Sequence, residues 1–295
     1  MSVTTGDFSK RVTVQSLAEK KQTHQPIVSL TAYDYATARL ADEAGVDFIL
    51  VGDSLAQVVL GYDSTLPVTM EEMLHHTRAV RRGVRRALLV ADMPFGSYHS
   101  SARKAVENAA RFVKEAGAEA VKIEGGVGRS AMIRRIIDAE IPVVGHIGLT
   151  PQSVHRMGGY KVQGKTMTAI DSLLRDAVAL DEAGVSALVL EGIPREVATR
   201  ITSEVATPTI GIGAGPDCDG QILVVHDLVG MTFTPPAKFV RRYANAGEVI
   251  TGAIRAYAED VRGRVFPADE ESYHLSREAQ KAFTETEALT ALHRK

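Results

Sequence analysis

The chain lacks what several large classes of protein depend on. It has one cysteine, Cys218, in 295 residues. A single thiol forms no internal disulfide and no thiolate metal cage, which suits a reducing compartment. No run of eighteen apolar residues occurs, so no transmembrane helix is expected, and residues 1–25 are polar, without the apolar core of a secretory signal. A cytoplasmic protein is the expectation. An excess of charge of either sign is also missing: 34 Lys+Arg against 36 Asp+Glu leave −2, with bases and acids interleaved. Binding nucleic acid by phosphate neutralisation needs a basic stripe, so such partners are disfavoured. Linkers are absent too, with no Pro/Ser-rich or low-complexity stretch to separate domains.

What is present is a repeated phrase. Glu43-Ala44-Gly45-Val46, Glu115-Ala116-Gly117-Ala118 and Glu182-Ala183-Gly184-Val185 each lead into a short apolar run. The phrase reads as a helix ending at a glycine in the left-handed region, followed by a strand buried on both faces. Eight such runs occur, at 27–31, 47–53, 88–90, 119–124, 143–147, 186–191, 209–212 and, less distinctly, 222–225. Amphipathic stretches at 35–44, 70–82, 101–116, 129–139, 169–183 and 195–205 alternate with them. Eight units favour a (β/α)8 TIM barrel over an open doubly wound sheet, where five to seven strands are usual. The expected organisation is one barrel domain over 1–274, with a short capped helix at 13–21 and a further helix at 247–262. Residues 275–295 read as a polar tail, a frayed helix or disordered.

Several of the runs end in an ionisable residue next to a small or turn-forming one: Asp53-Ser54, Asp92-Met93-Pro94, Glu124-Gly125-Gly126, His146 near Gly148, and Glu191-Gly192. In a barrel these ends converge on the mouth where chemistry is placed. Any one such acid is ordinarily a helix cap or a solvated loop residue. Four carboxylates at one mouth repel one another unless protons or a cation compensate, and an all-oxygen set selects a hard divalent ion such as Mg2+. Asp53 and Asp92 are the candidates for direct ligands, with Glu124 close by or acting through water. His146 reads as a hydrogen-bonding support more readily than as a ligand. Lys122, two residues before Glu124, shares its strand face. It is either half of a structural ion pair or a cation that holds a substrate carboxylate.

Other signals carry less. Gly211-Ile212-Gly213-Ala214-Gly215 lacks the third glycine and the downstream acid of a dinucleotide fingerprint. Close backbone approach explains it better. Gly125-Gly126-Val127-Gly128-Arg129-Ser130 lacks the Gly-Lys-Ser/Thr ending of a phosphate loop, though a helix N-terminus there could bind an anion. His75-His76, among arginines, reads as a solvated or subunit-contact face. Residues 155–168 suit either a mobile loop over the mouth or an ordinary surface loop.

From about Lys10 to His274 the sequence resembles the ketopantoate hydroxymethyltransferase family. The phrases that carry the resemblance include Thr31-Ala32-Tyr33-Asp34, Val51-Gly52-Asp53-Ser54, Val121-Lys122-Ile123-Glu124-Gly125-Gly126, Gly145-His146-Ile147-Gly148-Leu149-Thr150-Pro151-Gln152 and Gly158-Gly159-Tyr160-Lys161-Val162-Gln163-Gly164. The resemblance implies a barrel of the phosphoenolpyruvate mutase-like superfamily, assembled as a homodecamer. It implies Mg2+, with 5,10-methylenetetrahydrofolate as the one-carbon donor to 3-methyl-2-oxobutanoate at the first committed step of pantothenate synthesis. Residue by residue, Asp53 and Asp92 match the direct metal ligands and Glu124 the acid reaching the metal through water. Asp53 with Ser54, Asp92 and Lys122 match the positions holding the 2-oxo acid, and Glu191 matches the proton acceptor. The alternative is a metal-dependent 2-oxo acid lyase or mutase of the isocitrate lyase type. Such enzymes carry a Lys-Lys-Cys-Gly-His type motif, and Cys218, in Pro216-Asp217-Cys218-Asp219, does not stand in one.

Overall fold

Eight parallel strands close on themselves in sequence order in the computed structural model, which describes residues 10–292. They are β1 (Ile27–Thr31), β2 (Phe48–Val51), β3 (Leu88–Asp92), β4 (Ala120–Glu124), β5 (Val143–Gly148), β6 (Ala187–Glu191), β7 (Thr209–Ile212) and β8 (Gly220–Leu223). β1 pairs with both β2 and β8, so the barrel has no free edge. The helices are α1 (Val14–Gln22), α2 (Tyr35–Glu43), α3 (Leu55–Val58), α4 (Met70–Gly83), α5 (Ala102–Ala116), α6 (Val127–Ile137), α7 (Val154–Met157), α8 (Met167–Ala183), α9 (Arg195–Glu204), α10 (Val225–Val229), α11 (Ala246–Gly263) and α12 (Arg277–Leu292). By contact the chain divides into two units, Met1–Ala244 and Asn245–Lys295. The sequence placed its boundary at 274/275; the contact boundary falls earlier, so α11 belongs with α12 in the second unit. Within that unit the Tyr257 and Phe266 rings lie 5.5 Å apart.

The repeated phrase does what its chemistry requires. Gly45, Gly117 and Gly184 all take positive φ, 84°, 70° and 89°, ending α2, α5 and α8 and turning the chain into the next strand. Side-chain caps open the helices: Thr13 and Thr69 form capping boxes, and Ser101 and Thr166 accept from backbone N–H groups three residues on. Three starts fall two residues before the sequence reading, those of α6, α8 and β8. α6 begins two residues early because Asp176 Oδ1 accepts from Val127 N at 2.8 Å, and a Cβ on Gly126 would overlap that carboxylate. The helix N-terminus proposed as an anion site is thus already capped by the protein's own acid. β8 begins at Gly220, where a Cβ would sit 2.4 Å from Ile27 O, so only glycine allows the pairing that closes the barrel.

Two apolar clusters fill the first unit. Phe48, Leu50, Leu88, Val90, Ala120, Val144, Ala187, Val189, Ile210 and Ile222 pack inside the barrel. Ile49, Val51, Leu89, Val121, Ile123, Leu188 and Leu190 face outward onto Met73, Leu74, Phe112, Ile133 and Leu180 of the helices. Each Val, Leu, Ile, Phe or Met among them contributes ~1.5–3 kcal/mol of burial. The alternation also aims the site. With Val90, Ala120, Val144 and Val189 pointing inward, a period of two sends Asp92, Lys122, Glu124, His146 and Glu191 into the barrel interior at the C-terminal ends.

Candidate active site

The mouth holds a cavity of about 350 Å³ lined by Asp53, Ser54, Asp92, Lys122, Glu124, His146 and Glu191 together. Every site residue singled out from the sequence therefore reaches one cavity. A larger groove of about 540 Å³ lies between α6, α8 and α9, but it is open and lined by surface charges such as Arg175, Glu182 and Arg200. It brings no buried polar group together.

Three carboxylates form the floor. The Asp53 backbone N–H donates to Asp92 Oδ2 at 2.9 Å, Gln152 Nε2 donates to Asp53 Oδ2 at 2.8 Å, and the Gln152 backbone N–H donates to Glu124 Oε2 at 3.0 Å. One oxygen of each acid is therefore held by an N–H. Asp92 Oδ1 and Glu124 Oε1 are buried without a well-aligned hydrogen bond. Gly52 makes room for the turn, since a Cβ there would lie 2.9 Å from Ser54 Oγ. Ser54 Oγ is paired with the Tyr33 hydroxyl at 2.7 Å.

The charges explain one another. Burial is the chief cause that raises the Asp53 pKa well above its usual range, reinforced by Asp92 and Glu124 and opposed by Lys122 and Gln152. Asp92 is also raised, again by burial, with Lys122 and the Asp53 N–H pulling the other way. Lys122, placed by the β3–β4 register opposite Asp92, sets Nζ 3.0 Å from Asp92 Oδ1 and 3.1 Å from His146 Nδ1. This is the structural ion pair the sequence allowed, and it still lines the cavity. Burial alone would discharge Lys122; Asp92, Glu124 and Asp53 reverse that and raise its pKa.

His146 spans two acids, with Nδ1 3.5 Å from Glu124 Oε1 and Nε2 3.2 Å from Glu191 Oε2. Burial and Lys122 push its pKa down, yet contacts with Glu124 and Glu191 prevail and raise it to about 9. The Lys122 contact asks for an unprotonated Nδ1, while the surplus of acid favours the imidazolium. In both states Nε2, 3.2 Å from Glu191 Oε2, carries a hydrogen that is not aligned into a hydrogen bond. Glu191 is the most open of the acids, its side chain 17% exposed against 3% for Glu124. It is the one placed to meet a molecule entering the mouth.

A divalent cation fits this set. Four carboxylates face one ammonium, the donors are oxygens, and Asp92 Oδ1 and Glu124 Oε1, buried without aligned hydrogen bonds beside Lys122 Nζ at 3.0 Å and His146 Nδ1 at 3.5 Å, are the kind of atoms a hard cation takes up. Among the described residues no three His, Cys, Asp or Glu side chains form a ready-made cage.

Sequence reasoning missed several residues of the site. Gln152 joins Asp53 to Glu124 and also donates to Met93 O at 3.0 Å, while the Tyr98 hydroxyl donates to its Oε1 at 2.6 Å. Tyr160 from the 155–168 loop and Gln57 from α3 also line the cavity, and Gln163 N of that loop donates to Gly192 O at 2.9 Å. The loop thus borders the mouth, anchored beside Glu191. The only signal for Gln152 and Tyr160 was their presence in glycine- or proline-bearing phrases. Gly213 is the close approach the glycine run required, since a Cβ there would lie 2.6 Å from the Phe239 ring. His75 is exposed, whereas His76 Nδ1 lies 2.6 Å from Tyr33 O, in the turn after β1.

Comparison with known proteins accords with this arrangement. The family model of ketopantoate hydroxymethyltransferase matches residues 11–269. A 3-methyl-2-oxobutanoate hydroxymethyltransferase of Koribacter versatilis is 70% identical over 280 residues, covering 95% of each chain. Another, of Syntrophomonas wolfei, is 54% identical over 270 residues, 91% of this chain and 97% of that one. Among solved structures, phosphonopyruvate hydrolase in complex with oxalate and Mg++ matches with a TM-score of 0.57 at 15% identity, covering 96% of this chain and 99% of that one. 2,3-Dimethylmalate lyase, a PEP mutase/isocitrate lyase superfamily member, matches with a TM-score of 0.56 at 17% identity, covering 95% and 98%. The solved structures share the barrel; the match over residues 11–269 and the relatives at 54–70% identity go further, and the chain belongs to the ketopantoate hydroxymethyltransferase family.

Proposed function

We propose that this chain transfers a hydroxymethyl group to 3-methyl-2-oxobutanoate, giving ketopantoate, with 5,10-methylenetetrahydrofolate as donor and Mg2+ as cofactor. Family membership supports the transfer. The observation that carries the site assignment is that Glu191, the most open acid, shares one cavity with the paired Asp53 and Asp92. Asp53 and Asp92 would hold the cation, with Glu124 reaching it through water. Bound there, the cation would act as a Lewis acid toward a 2-oxo acid chelated through its carboxylate and keto oxygens.

The remaining work falls to side chains. Lys122 spends two contacts on Asp92 and His146 and keeps a third hydrogen for the substrate carboxylate. Ser54, oriented by Tyr33, stands beside the same end. Glu191 removes the C3 proton, while the Nε2 hydrogen of His146 steadies its carboxylate. Leu50, Val189, Ile212 and Phe239 line the cavity with apolar surface suited to the isopropyl group. Water adds to the iminium form of the folate's one-carbon unit, and breaking of its carbon–nitrogen bond releases tetrahydrofolate and leaves formaldehyde. The C3 carbanion, delocalised into the keto oxygen, attacks that carbon; a carbon–carbon bond forms, and the resulting alkoxide takes up the proton that Glu191 removed, giving the hydroxymethyl group. Homodecamer assembly belongs to the same proposal, and light scattering reads it. Among the described residues no helix is long and apolar enough to cross a membrane.

The lyase or mutase alternative loses its remaining support in the position of Cys218. It lines a groove with Lys21 and Asp219 and does not reach the mouth. Incubation with 3-methyl-2-oxobutanoate, methylenetetrahydrofolate and Mg2+ should yield ketopantoate by NMR, with none when donor or metal is omitted. Cleavage of isocitrate or phosphonopyruvate without ketopantoate formation would overturn the proposal.

A further inference from the structure

Gln152 is an uncharged side chain that spans the acidic floor, and its bonds are arranged in a particular way. It is buried, directly after Pro151 in the 3-10 turn Pro151–Ser153 that follows β5. Its amide nitrogen gives one hydrogen to Asp53 Oδ2 at 2.8 Å and the other to Met93 O at 3.0 Å. Both neighbours on that side are acceptors, so the amide has one allowed orientation, with Oε1 on the other side. There Oε1 accepts from the Tyr98 hydroxyl at 2.6 Å, which locks the amide against flipping. The backbone N–H of the same residue donates to Glu124 Oε2 at 3.0 Å.

One residue thus occupies one oxygen on each of two acids from different strands, β4 and the end of β2. A third acid, Asp92, has its Oδ2 occupied by the Asp53 backbone N–H, in the turn after β2. The oxygens left over include Asp92 Oδ1 and Glu124 Oε1, which lack aligned hydrogen bonds although both are buried, with Lys122 Nζ 3.0 Å from the first and His146 Nδ1 3.5 Å from the second. Loss of the Gln152 side chain would free Asp53 Oδ2, while the backbone N–H would stay on Glu124 Oε2.

We infer that Gln152, locked by Tyr98, is a positioning residue that blocks the outer oxygens of Asp53 and Glu124 and so directs their other oxygens toward a single divalent cation. The inference rests on the metal reading of the proposed function and adds the device that prepares the site. Groups that orient metal ligands in this way typically alter affinity ~10–100-fold when removed. Tyr98 acts one step further out, through the amide, so its hydroxyl has the smaller effect.

The test is metal binding to the full chain, by calorimetry with Mg2+ and by electron paramagnetic resonance with Mn2+, alongside melting in EDTA. Gln152→Met keeps the volume and removes the side chain's two donors and its acceptor, leaving the backbone N–H on Glu124. It should weaken Mg2+ and Mn2+ binding ~10–100-fold while melting close to wild type, and its activity deficit should narrow as Mg2+ is raised. Tyr98→Phe should weaken binding in the same direction by less. Wild-type affinity in Gln152→Met, or an activity loss that Mg2+ does not narrow, would overturn the inference and leave the metal reading standing. No Mn2+ binding by the wild-type chain would overturn the metal reading and this inference with it. Should Gln152→Met fail to fold, Tyr98→Phe decides, and unchanged affinity there refutes the role.

Discussion

Replacing Lys122 with Met removes the one ammonium from a floor of carboxylates while keeping most of the side chain's volume. The pair it breaks is buried, with the Lys122 and Asp92 side chains 6% and 3% exposed and Nζ 3.0 Å from Oδ1. Deleting one partner of such a pair leaves an uncompensated charge and costs ~3–5 kcal/mol. At ~2–4 °C per kcal/mol for a domain of this size, melting should fall by about 6–20 °C in EDTA. The direction is fixed by the surroundings: Asp92, Glu124 and Asp53 together hold Lys122 charged against the effect of burial. Differential scanning calorimetry of wild type and Lys122→Met in EDTA reads the difference, and steady-state kinetics on the variant should show a raised KM for the 2-oxo acid. A shift in melting of less than about 2 °C would mean that the acids tolerate one another without the ammonium, an outcome the buried-pair cost does not allow. The electrostatic account of the mouth would then be wrong.

Two further outcomes follow from local geometry. Gly148 has φ 97° and pairs with Glu191, and a Cβ there would lie 2.2 Å from Glu191 O. Gly148→Ala should therefore displace the base and lower kcat about 10²-fold, as ~1 Å misplacements do, while Mg2+ affinity is kept; an undiminished kcat in the folded variant contradicts the placement. Burial holds the Cys218 thiol up at about 11, so only about one molecule in 10³ is thiolate at pH 8. Its alkylation by iodoacetamide should rise about tenfold per pH unit from 8 to 10, whereas a plateau near pH 9 would show an ordinary, unburied thiol.

Much of the site was legible because strand alternation is a sequence property. The apolar residues at 90, 120, 144 and 189 face the interior, and counting by two places Asp92, Lys122, Glu124, His146 and Glu191 on the same side. The repeated Glu-Ala-Gly phrase marked where three of the strands begin. What was not legible depends on contacts between distant segments. Gln152 is 99 residues from Asp53, and nothing in a Gln side chain distinguishes a buried bridge from a solvated loop residue. The Asp176 cap on α6 and the Ile27–Gly220 approach that starts β8 are likewise tertiary, and they moved element boundaries that propensity alone set elsewhere. The short helices α3, α7 and α10, of four or five residues, are too brief to show a helical period.

The central claim is that Glu191 removes the C3 proton of a 2-oxo acid held beside Asp53 and Asp92. Incubating the chain with 3-methyl-2-oxobutanoate and Mg2+ in D2O, without folate, isolates that step, and NMR follows loss of the C3 proton signal. The account predicts exchange by wild type and a ~10²–10⁴-fold slower rate in Glu191→Gln, as loss of a positioned base requires. No exchange by wild type, or an undiminished rate in Glu191→Gln, would contradict it.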